Sequence, residues 1–269
     1  MEQVAYAKIN LALHVRERLA DGYHRIETIF AFAEHGDILR DYPAEDLALE
    51  LEGRFATELS AGDDNLVLKA ARLLRQRTGA SAGARLVLDK RLPVASGLGG
   101  GSADAAAAIH LLSRRWCAAP AMSWTDLGAE LGADVPACLL SRTCRGEGRG
   151  DALGFASDIG VAGLPLLLVN PRVALSTAAV FRAWDGIDRG PLGEWRDGRN
   201  DLEAAAVKLV PEIGEVLEVL RAQGAELSRM SGSGATCFAL FSNDARRDVA
   251  AAAIAAFRPD WWQLSSRIR

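Results

Sequence analysis

Two domains of the α+β class are what this chain of 269 residues predicts, and three observations lead there. Strand-like alternation outnumbers helical periodicity up to residue 89. Beyond that point strands and helices interleave without the regular beat of a βαβ fold. The length exceeds the ~150 residues of a typical single domain. A stretch rich in glycine and charge, Arg145 to Gly150, offers a boundary near residue 155, dividing 1–155 from 156–269.

Taken in order, Val4 to Val15 alternates as a strand or hairpin arm, Asp21-Gly22 makes a turn, and Ile26 to Phe32 reads as a second strand. Leu47, Leu49 and Leu51 share one face of a third. Leu66, Ala70, Leu73 and Leu74 fall on one helical face between Asp64 and Arg77, with Asp63 and Asp64 before it as caps. Arg85 to Asp89 is a strand. Ala105 to Leu112 is a strong helix former. Trp124 to Leu131 is a helix with capping-box spacing between Ser123 and Asp126, interrupted by Gly132-Ala133-Asp134-Val135-Pro136. In the second half Leu164 to Val169 carries a buried-strand signal. Asp201 to Leu209 and Pro211 to Arg221 are helices, with Pro211 in a first turn and Gly224 as a C-terminal cap. Thr236 to Phe241 is an apolar strand, and Asp244 to Phe257 a helix capped by Asn243.

Composition narrows the function. Hydrophobic residues make up 49% and charged residues 25%, as in an ordinary globular protein, with enough chain to bury a core without disulfides or a structural metal. A formal charge of −4, a pI near 5.7 and the lack of a basic stripe speak against nucleic acid as a partner. Mean hydropathy is +0.05, and no apolar run approaches the ~18–20 residues of a membrane span, so no membrane partner is expected. Cys117, Cys138, Cys144 and Cys237 form no CxxC pair and have no histidines beside them, which supports neither a zinc site nor a disulfide framework. Without a signal-like start, the expected location is cytoplasmic, with reduced thiols. Trp261-Trp262 reads equally as an interface or as packed core, and the oligomeric state is open.

The main chemical signal is Pro93-Val94-Ala95-Ser96-Gly97-Leu98-Gly99-Gly100-Gly101-Ser102-Ala103-Asp104, running straight into a helix. Glycines let backbone approach a ligand closely, and a helix start offers unpaired N–H groups with partial positive charge, together a site for phosphates. Ser102 adds a hydroxyl for a phosphate oxygen or a bound Mg²⁺. A flexible turn capping a helix is the plain alternative. The Walker, dinucleotide-fold and protein-kinase signatures are all absent. Ser231-Gly232-Ser233-Gly234-Ala235, alone a β-turn, suggests a second backbone clamp when paired with the first.

Three segments in order resemble the GHMP kinases: Tyr6-Ala7-Lys8-Ile9-Asn10-Leu11, Pro93 through Ala106, and Met230-Ser231-Gly232-Ser233-Gly234. The resemblance implies a ribosomal-protein-S5-domain-2-like N-terminal domain and a ferredoxin-like C-terminal one. One branch, which phosphorylates an alcohol bearing a cytidine diphosphate group in the non-mevalonate isoprenoid route, is similar in further places. These are Asp21-Gly22-Tyr23-His24 followed by Glu27-Thr28-Ile29-Phe30, Asp64-Asn65-Leu66, the segment around Asp134, Ser176-Thr177 with Phe181, and Asn200-Asp201-Leu202-Glu203. Two departures stand out. Ala5-Tyr6 occupies the place of a frequent Ser-Pro, and the phosphate loop ends with one hydroxyl, Ser102, where two are common.

What the resemblance implies for the site is specific. ATP, with Mg²⁺ carried on it and no metal ligands assigned in the protein, would be held by Asn65, Pro93, Ala95, Ser96, Gly97, Leu98, Gly99, Gly100, Gly101, Ser102 and Ala103. Asp134 would be the base and Lys8 its partner; a carboxylate near an ammonium stays ionised, and the ammonium also stabilises charge developing on the transferred group. Asn10, on the same strand face as Lys8, would hold the acceptor hydroxyl or Asp134. His24 would meet the cytosine edge with Tyr23 and Phe181 stacking, and Gly232 and Ser233 would complete the acceptor site. Thr177 and Asp201 are weaker candidates. Asn65 doubles as an N-cap, and Tyr23-His24 also reads as mere turn-shaping. His14, His35 and His110 receive no role. Competing readings are another small-molecule kinase of the same family, a catalytically silent binding protein on its fold, and an RNA-binding module.

Overall fold

The structure, a computed structural model, describes residues 1–117, 123–156 and 159–269. Its elements run β1 (Glu2–Arg18), β2 (His24–Tyr42), β3 (Leu47–Glu52), α1 (Leu66–Thr78), β4 (Ala84–Asp89), α2 (Gly100–Arg115), α3 (Trp124–Ala129), α4 (Val135–Leu140), β5 (Cys144–Glu147) and β6 (Ala152–Phe155). Then follow β7 (Pro165–Asn170), α5 (Thr177–Ala183), α6 (Glu203–Leu209), α7 (Glu212–Ala222), β8 (Leu227–Met230), β9 (Cys237–Leu240), α8 (Asp244–Phe257) and β10 (Trp262–Arg267). The chain divides into two compact units, neither continuous in sequence. One comprises Met1–Ala7, His35–Val94 and Gly99–Ser141; the other comprises Lys8–Glu34, Ala95–Leu98 and Arg142–Arg269.

In the first unit the later part of β2 pairs antiparallel with β4, Leu39 opposite Leu88, and β4 pairs parallel with β3, Leu49 opposite Leu86. α1 packs on α2. The buried run Ala105 to Ala108 of α2 presents little side-chain bulk, which lets helix backbones approach, and Val67, Leu68 and Leu74 of α1 fill the remaining space. The cap of α1 is Asn65, whose Oδ1 accepts from the Val67 amide at 2.9 Å; Asp63 and Asp64, expected as caps, stand outside it. Ser123 caps α3 as expected, accepting from the Asp126 amide at 3.1 Å. That helix closes at Ala129, and a separate α4 begins just after Asp134, with Pro136 in its first turn.

In the second unit β1 from Lys8 to Val15 is buried throughout. The early part of β2 pairs with β5, Thr28 opposite Gly146, and β5 with β6. The glycine- and charge-rich stretch expected as a boundary is thus partly strand: a Cβ on Gly146 would lie 2.6 Å from the Phe30 ring, so only glycine fits beneath that aromatic. A separate antiparallel sheet has the order β10-β7-β9-β8. Every residue of β7 is buried. Ile213, Val216, Leu217 and Leu220 of α7 and Ile254 of α8 share one core with Leu167, Val169 and Phe241. Pro211 occupies the position preceding α7, and Asn243 caps α8 by accepting from the Arg246 amide. Trp261 and Trp262 are both 4% exposed, packed inside. His14 is buried too: its Nδ1 meets the Gly190 carbonyl at 3.1 Å and its Nε2 accepts from the Arg199 amide at 3.3 Å, a neutral ring in a packing role.

Candidate active site

Lys8 and Asn10 point to the same side of β1, two residues apart, and both are buried. The Lys8 Nζ donates to Asn10 Oδ1 at 3.1 Å and lies 4.8 Å from the centre of the Phe30 ring. Asn10 Nδ2 donates to Thr28 Oγ1 at 2.8 Å, and that hydroxyl donates onward to the Ala12 carbonyl at 2.6 Å. The Asn10 amide is therefore fixed in orientation, with its oxygen turned to the ammonium.

Leu98 adjoins the same strand, while the Ser96 carbonyl accepts from the Thr236 amide at 3.1 Å and Gly97 meets Ser231. The Lys8 amide donates to the Leu98 carbonyl at 2.9 Å. Ser231 Oγ accepts from the Asn10 amide at 3.2 Å and donates to the Gly97 carbonyl at 2.9 Å. Gly97 has φ +79°, and a Cβ there would sit 2.4 Å from the Ser231 carbonyl oxygen, so neither conformation nor space admits a side chain. The Ser231–Ala235 cluster is the turn between β8 and β9. Asn200 Nδ2 donates at 2.8 Å to the carbonyls of both Met230 and Gly232, and Thr177 Oγ1 meets Ser233 Oγ at 2.8 Å. Asp201, by contrast, is a fastener of the backbone: its Oδ2 accepts from the Val15 amide at 2.8 Å.

His24 opens β2. Its ring centre lies 4.8 Å from that of Phe181 and 5.7 Å from that of Trp184, the second contact edge-on at 82°. Burial, with Arg18 adding to it, holds the imidazole below the ordinary histidine range. Tyr23 is 56% exposed, and the Arg149 guanidinium lies over its ring at 4.2 Å while pairing with Asp21.

In the first unit, Gly99 has left-handed backbone (φ 62°) and precedes α2 without a side-chain cap. Gly101 is exposed and Ser102 half-buried at the helix start, and no side chain caps the N–H groups of this first turn. Pro93 is buried on the loop before it and Ala103 is buried in the helix; Ala95, which belongs to the second unit, is exposed. Asn65 bonds both ways, accepting as the cap of α1 and donating from Nδ2 to the Ser60 carbonyl at 2.8 Å. Asp134 is half-buried at the position preceding α4 and makes no cap bond.

Several participants escape sequence reasoning. Ser231 and Thr28 lie inside recognised motifs, but their hydroxyls look interchangeable with any turn or strand polar group. Lys90, Asp37 and Asp104 form a buried triad: Lys90 Nζ reaches Asp37 Oδ2 at 2.5 Å and Asp104 Oδ2 at 2.7 Å. Asp37 Oδ1 also accepts from the Arg91 and Leu92 amides. A Cβ on Gly100 would lie 3.0 Å from that ammonium, which places the triad under the first turn of α2. Burial pushes the Asp104 carboxyl up to about 7, against the pull of Lys90 and with the push of Asp37. An aspartate embedded in an alanine run on a buried helix face is the signal that announces such a partner.

Known proteins share this chain's sequence and fold. The GHMP kinases N terminal domain matches residues 65–142 and the GHMP kinases C terminal region matches residues 183–260. A 4-diphosphocytidyl-2-C-methyl-D-erythritol kinase of Rhizorhabdus wittichii is 58% identical, over 99% of this chain and 94% of that protein. A crystal structure of 4-(cytidine 5'-diphospho)-2C-methyl-D-erythritol kinase superposes with a TM-score of 0.84 at 33% identity, covering 100% of this chain and 99% of that one. A homoserine kinase from Cytophaga hutchinsonii, at 17% identity and a TM-score of 0.70 over 97% of this chain and 95% of its own, shares the fold alone.

Proposed function

The chain belongs to the GHMP kinase family, and we propose a reading of its site that starts from that membership. It is an ATP-dependent kinase that phosphorylates the 2-hydroxyl of 4-diphosphocytidyl-2-C-methyl-D-erythritol, giving ADP and the 2-phosphate, a step of the non-mevalonate isoprenoid route. The observation that favours a cytidyl acceptor is the contact of His24 with Phe181, 4.8 Å between ring centres. Neither homoserine nor mevalonate has a base to occupy such a pocket.

Phosphoryl transfer asks the protein for position and charge more than for covalent chemistry. In our reading Asp134 takes the proton of the acceptor hydroxyl and Lys8 stabilises charge on the transferring group. Asn10, held by Thr28, orients Lys8 and the acceptor, while Gly232 and Ser233 meet its polar groups. His24 reads the base edge with Tyr23 and Phe181 stacking on the ring. Asn65 meets the adenine. Pro93, Ala95, Ser96, Gly97 and Leu98 form the loop that approaches the nucleotide, and Gly99, Gly100, Gly101, Ser102 and Ala103 supply the helix start to its phosphates.

Mg²⁺ fits this site as a passenger on the triphosphate. Among the described residues no group of three or more His, Cys, Asp or Glu side chains is arranged to hold a metal ion. Phosphate oxygens, with the Ser102 hydroxyl at the helix start, would hold it, and when bound it neutralises charge on the β- and γ-phosphates. Among the described residues no helix is long and apolar enough to cross a membrane. We place the enzyme in the cytoplasm, without a nucleic-acid partner, and assign residues 1–155 and 156–269 as its two domains.

ADP release from ATP and Mg²⁺ tests the reading, with the cytidyl acceptor, mevalonate and homoserine supplied in turn. Turnover with the cytidyl acceptor only is expected. Turnover with mevalonate or homoserine instead would discard the base pocket and keep the ATP site.

A further inference from the structure

Nothing in the base-reading assignment explains how the His24 ring keeps its plane. The torsion that turns an imidazole about its Cβ–Cγ bond is broad and nearly two-fold, so a ring that must present one edge to a ligand needs something to hold it. Hydrogen bonding is not that something: among the described residues no hydrogen bond to either ring nitrogen of His24 is made, in contrast to His14 and His110, whose rings are tied to carbonyls. The ring contacts His24 makes are with aromatic side chains. Phe181 lies against it at a 35° tilt, and Trp184 meets it edge-on at 82°.

Both rings come from one short piece of chain. α5 is anchored by fully buried Val180, and its cap Ser176 accepts from the Ala179 amide. Phe181 and Trp184 are three residues apart, which brings them to the same side. Trp184 closes the helix as its C-terminal cap residue, and both side chains pack on the core of the second unit. The indole N–H of Trp184 is occluded and has no acceptor among the described residues, so hydrogen bonding does not account for the ring's position either. Its contacts do: the core on one side and His24 on the other.

We infer that Trp184 is a positioning residue for base selection, fixing the plane of His24 so that both imidazole nitrogens remain available to the pyrimidine. The inference rests on the reading of His24 as the base-edge contact. Aromatic geometry is suited to the task because an edge-to-face pair resists ring rotation without consuming a donor or acceptor. A hydrogen bond from the protein would instead occupy one nitrogen and remove it from recognition.

Steady-state kinetics on the full chain separate the possibilities. The variants are Trp184→Leu, Trp184→Phe and His24→Ala, assayed with the cytidyl acceptor, its uridyl counterpart and varied ATP, and each variant's thermal midpoint is recorded. For Trp184→Leu we expect KM for the cytidyl acceptor to rise about 5- to 10-fold, with KM for ATP and kcat within about twofold of the parent. We also expect the preference for cytidyl over uridyl acceptor to shrink by a similar factor. Trp184→Phe, which keeps an aromatic edge, should recover most of both effects. If His24→Ala erodes the base preference while Trp184→Leu leaves it intact, the inference is overturned and the reading of His24 stands. If His24→Ala itself leaves the preference intact, the reading beneath the inference falls. A Trp184→Leu variant whose two KM values rise together, alongside a lowered midpoint, also overturns it, because the tryptophan would then act only through the fold.

Discussion

Ser231 shows how much one hydroxyl can organise. It accepts from Asn10 and donates to Gly97, tying the strand of Lys8 to the glycine loop in a fully buried place. Ser231→Ala would leave a buried donor and a buried acceptor unpaired, each costing about 1–3 kcal/mol. Urea unfolding should therefore show a lowered midpoint with little change in slope, and an unmoved midpoint would refute the role. Asp134 is tested differently. Asp134→Asn keeps shape and removes basicity, so turnover should fall by about 10²- to 10⁴-fold while ATP binding, read by titration calorimetry, stays within about threefold. Surviving turnover would remove Asp134 as the base. At this scale the sequence was legible where a residue's chemistry is rare in its setting, as for Lys8 and Asn10, whose shared face on the buried part of β1 brings them into hydrogen bond. It was opaque where the residue is ordinary and its partner lies far along the chain, as with Ser231, 221 residues from Asn10. Nothing local tells a structural hydroxyl from an organising one, and the aromatic hold on His24 depends on Trp184, which no motif marks.

Elements were readable where pattern or composition is regular. α1, with its apolar face, and α8, with its alanine run and Asn243 cap, fell where expected at 13 and 14 residues, whereas α2 begins at Gly100, five residues before the expected start, because its first turn opens on glycines. α4 and α5, with 6 and 7 residues, are too short for periodicity to declare itself. β5 was hidden by its glycine, which a packing constraint under Phe30 demands. β2 runs on past Phe32, where the expected strand stops, to Tyr42, and the charged residues Asp37 and Asp41 within that extension are buried and paired. The cap of α1 offers a test that separates two duties of one side chain. Asn65→Asp preserves the oxygen that accepts from Val67 but loses the amide donor. It keeps the cap but gives up the bond to the Ser60 carbonyl, so it should lose about 1 kcal/mol of stability and raise KM for ATP about fivefold if that amide also serves the adenine. Asn65→Ala should lose both, with about 1 kcal/mol of stability going with the cap. An Asn65→Asp variant with unchanged KM would leave the residue as a cap only.

At the scale of the whole molecule, charge buried in the first unit sets a pH dependence. The Asp104 carboxyl stands at about 7 when folded against 3.8 as its ordinary value, raised by burial. Its contribution to stability is therefore complete below the ordinary value and is lost as pH rises through about 7. Relative to Asp104→Asn, which cannot titrate, the parent should lose stability across that window with a slope of up to about 1.4 kcal/mol per pH unit. Urea unfolding of both proteins at several pH values between 4 and 7 measures the difference, and parallel pH curves would contradict the assignment. The interleaving of the two units has a different kind of consequence, one for synthesis. The second unit draws on Lys8–Glu34 and also on the strand completed at Arg267. Within it Ile268 bridges to Ala33, and the Arg269 amide donates to the Phe32 carbonyl at 2.9 Å. A nascent chain emerging from the ribosome thus holds an early strand whose final neighbours have yet to be translated. A ribosome that stalls late leaves the buried Phe32–Ala33 stretch of β2 without these partners, and quality control, more than catalysis, would be the first process to register a truncation there.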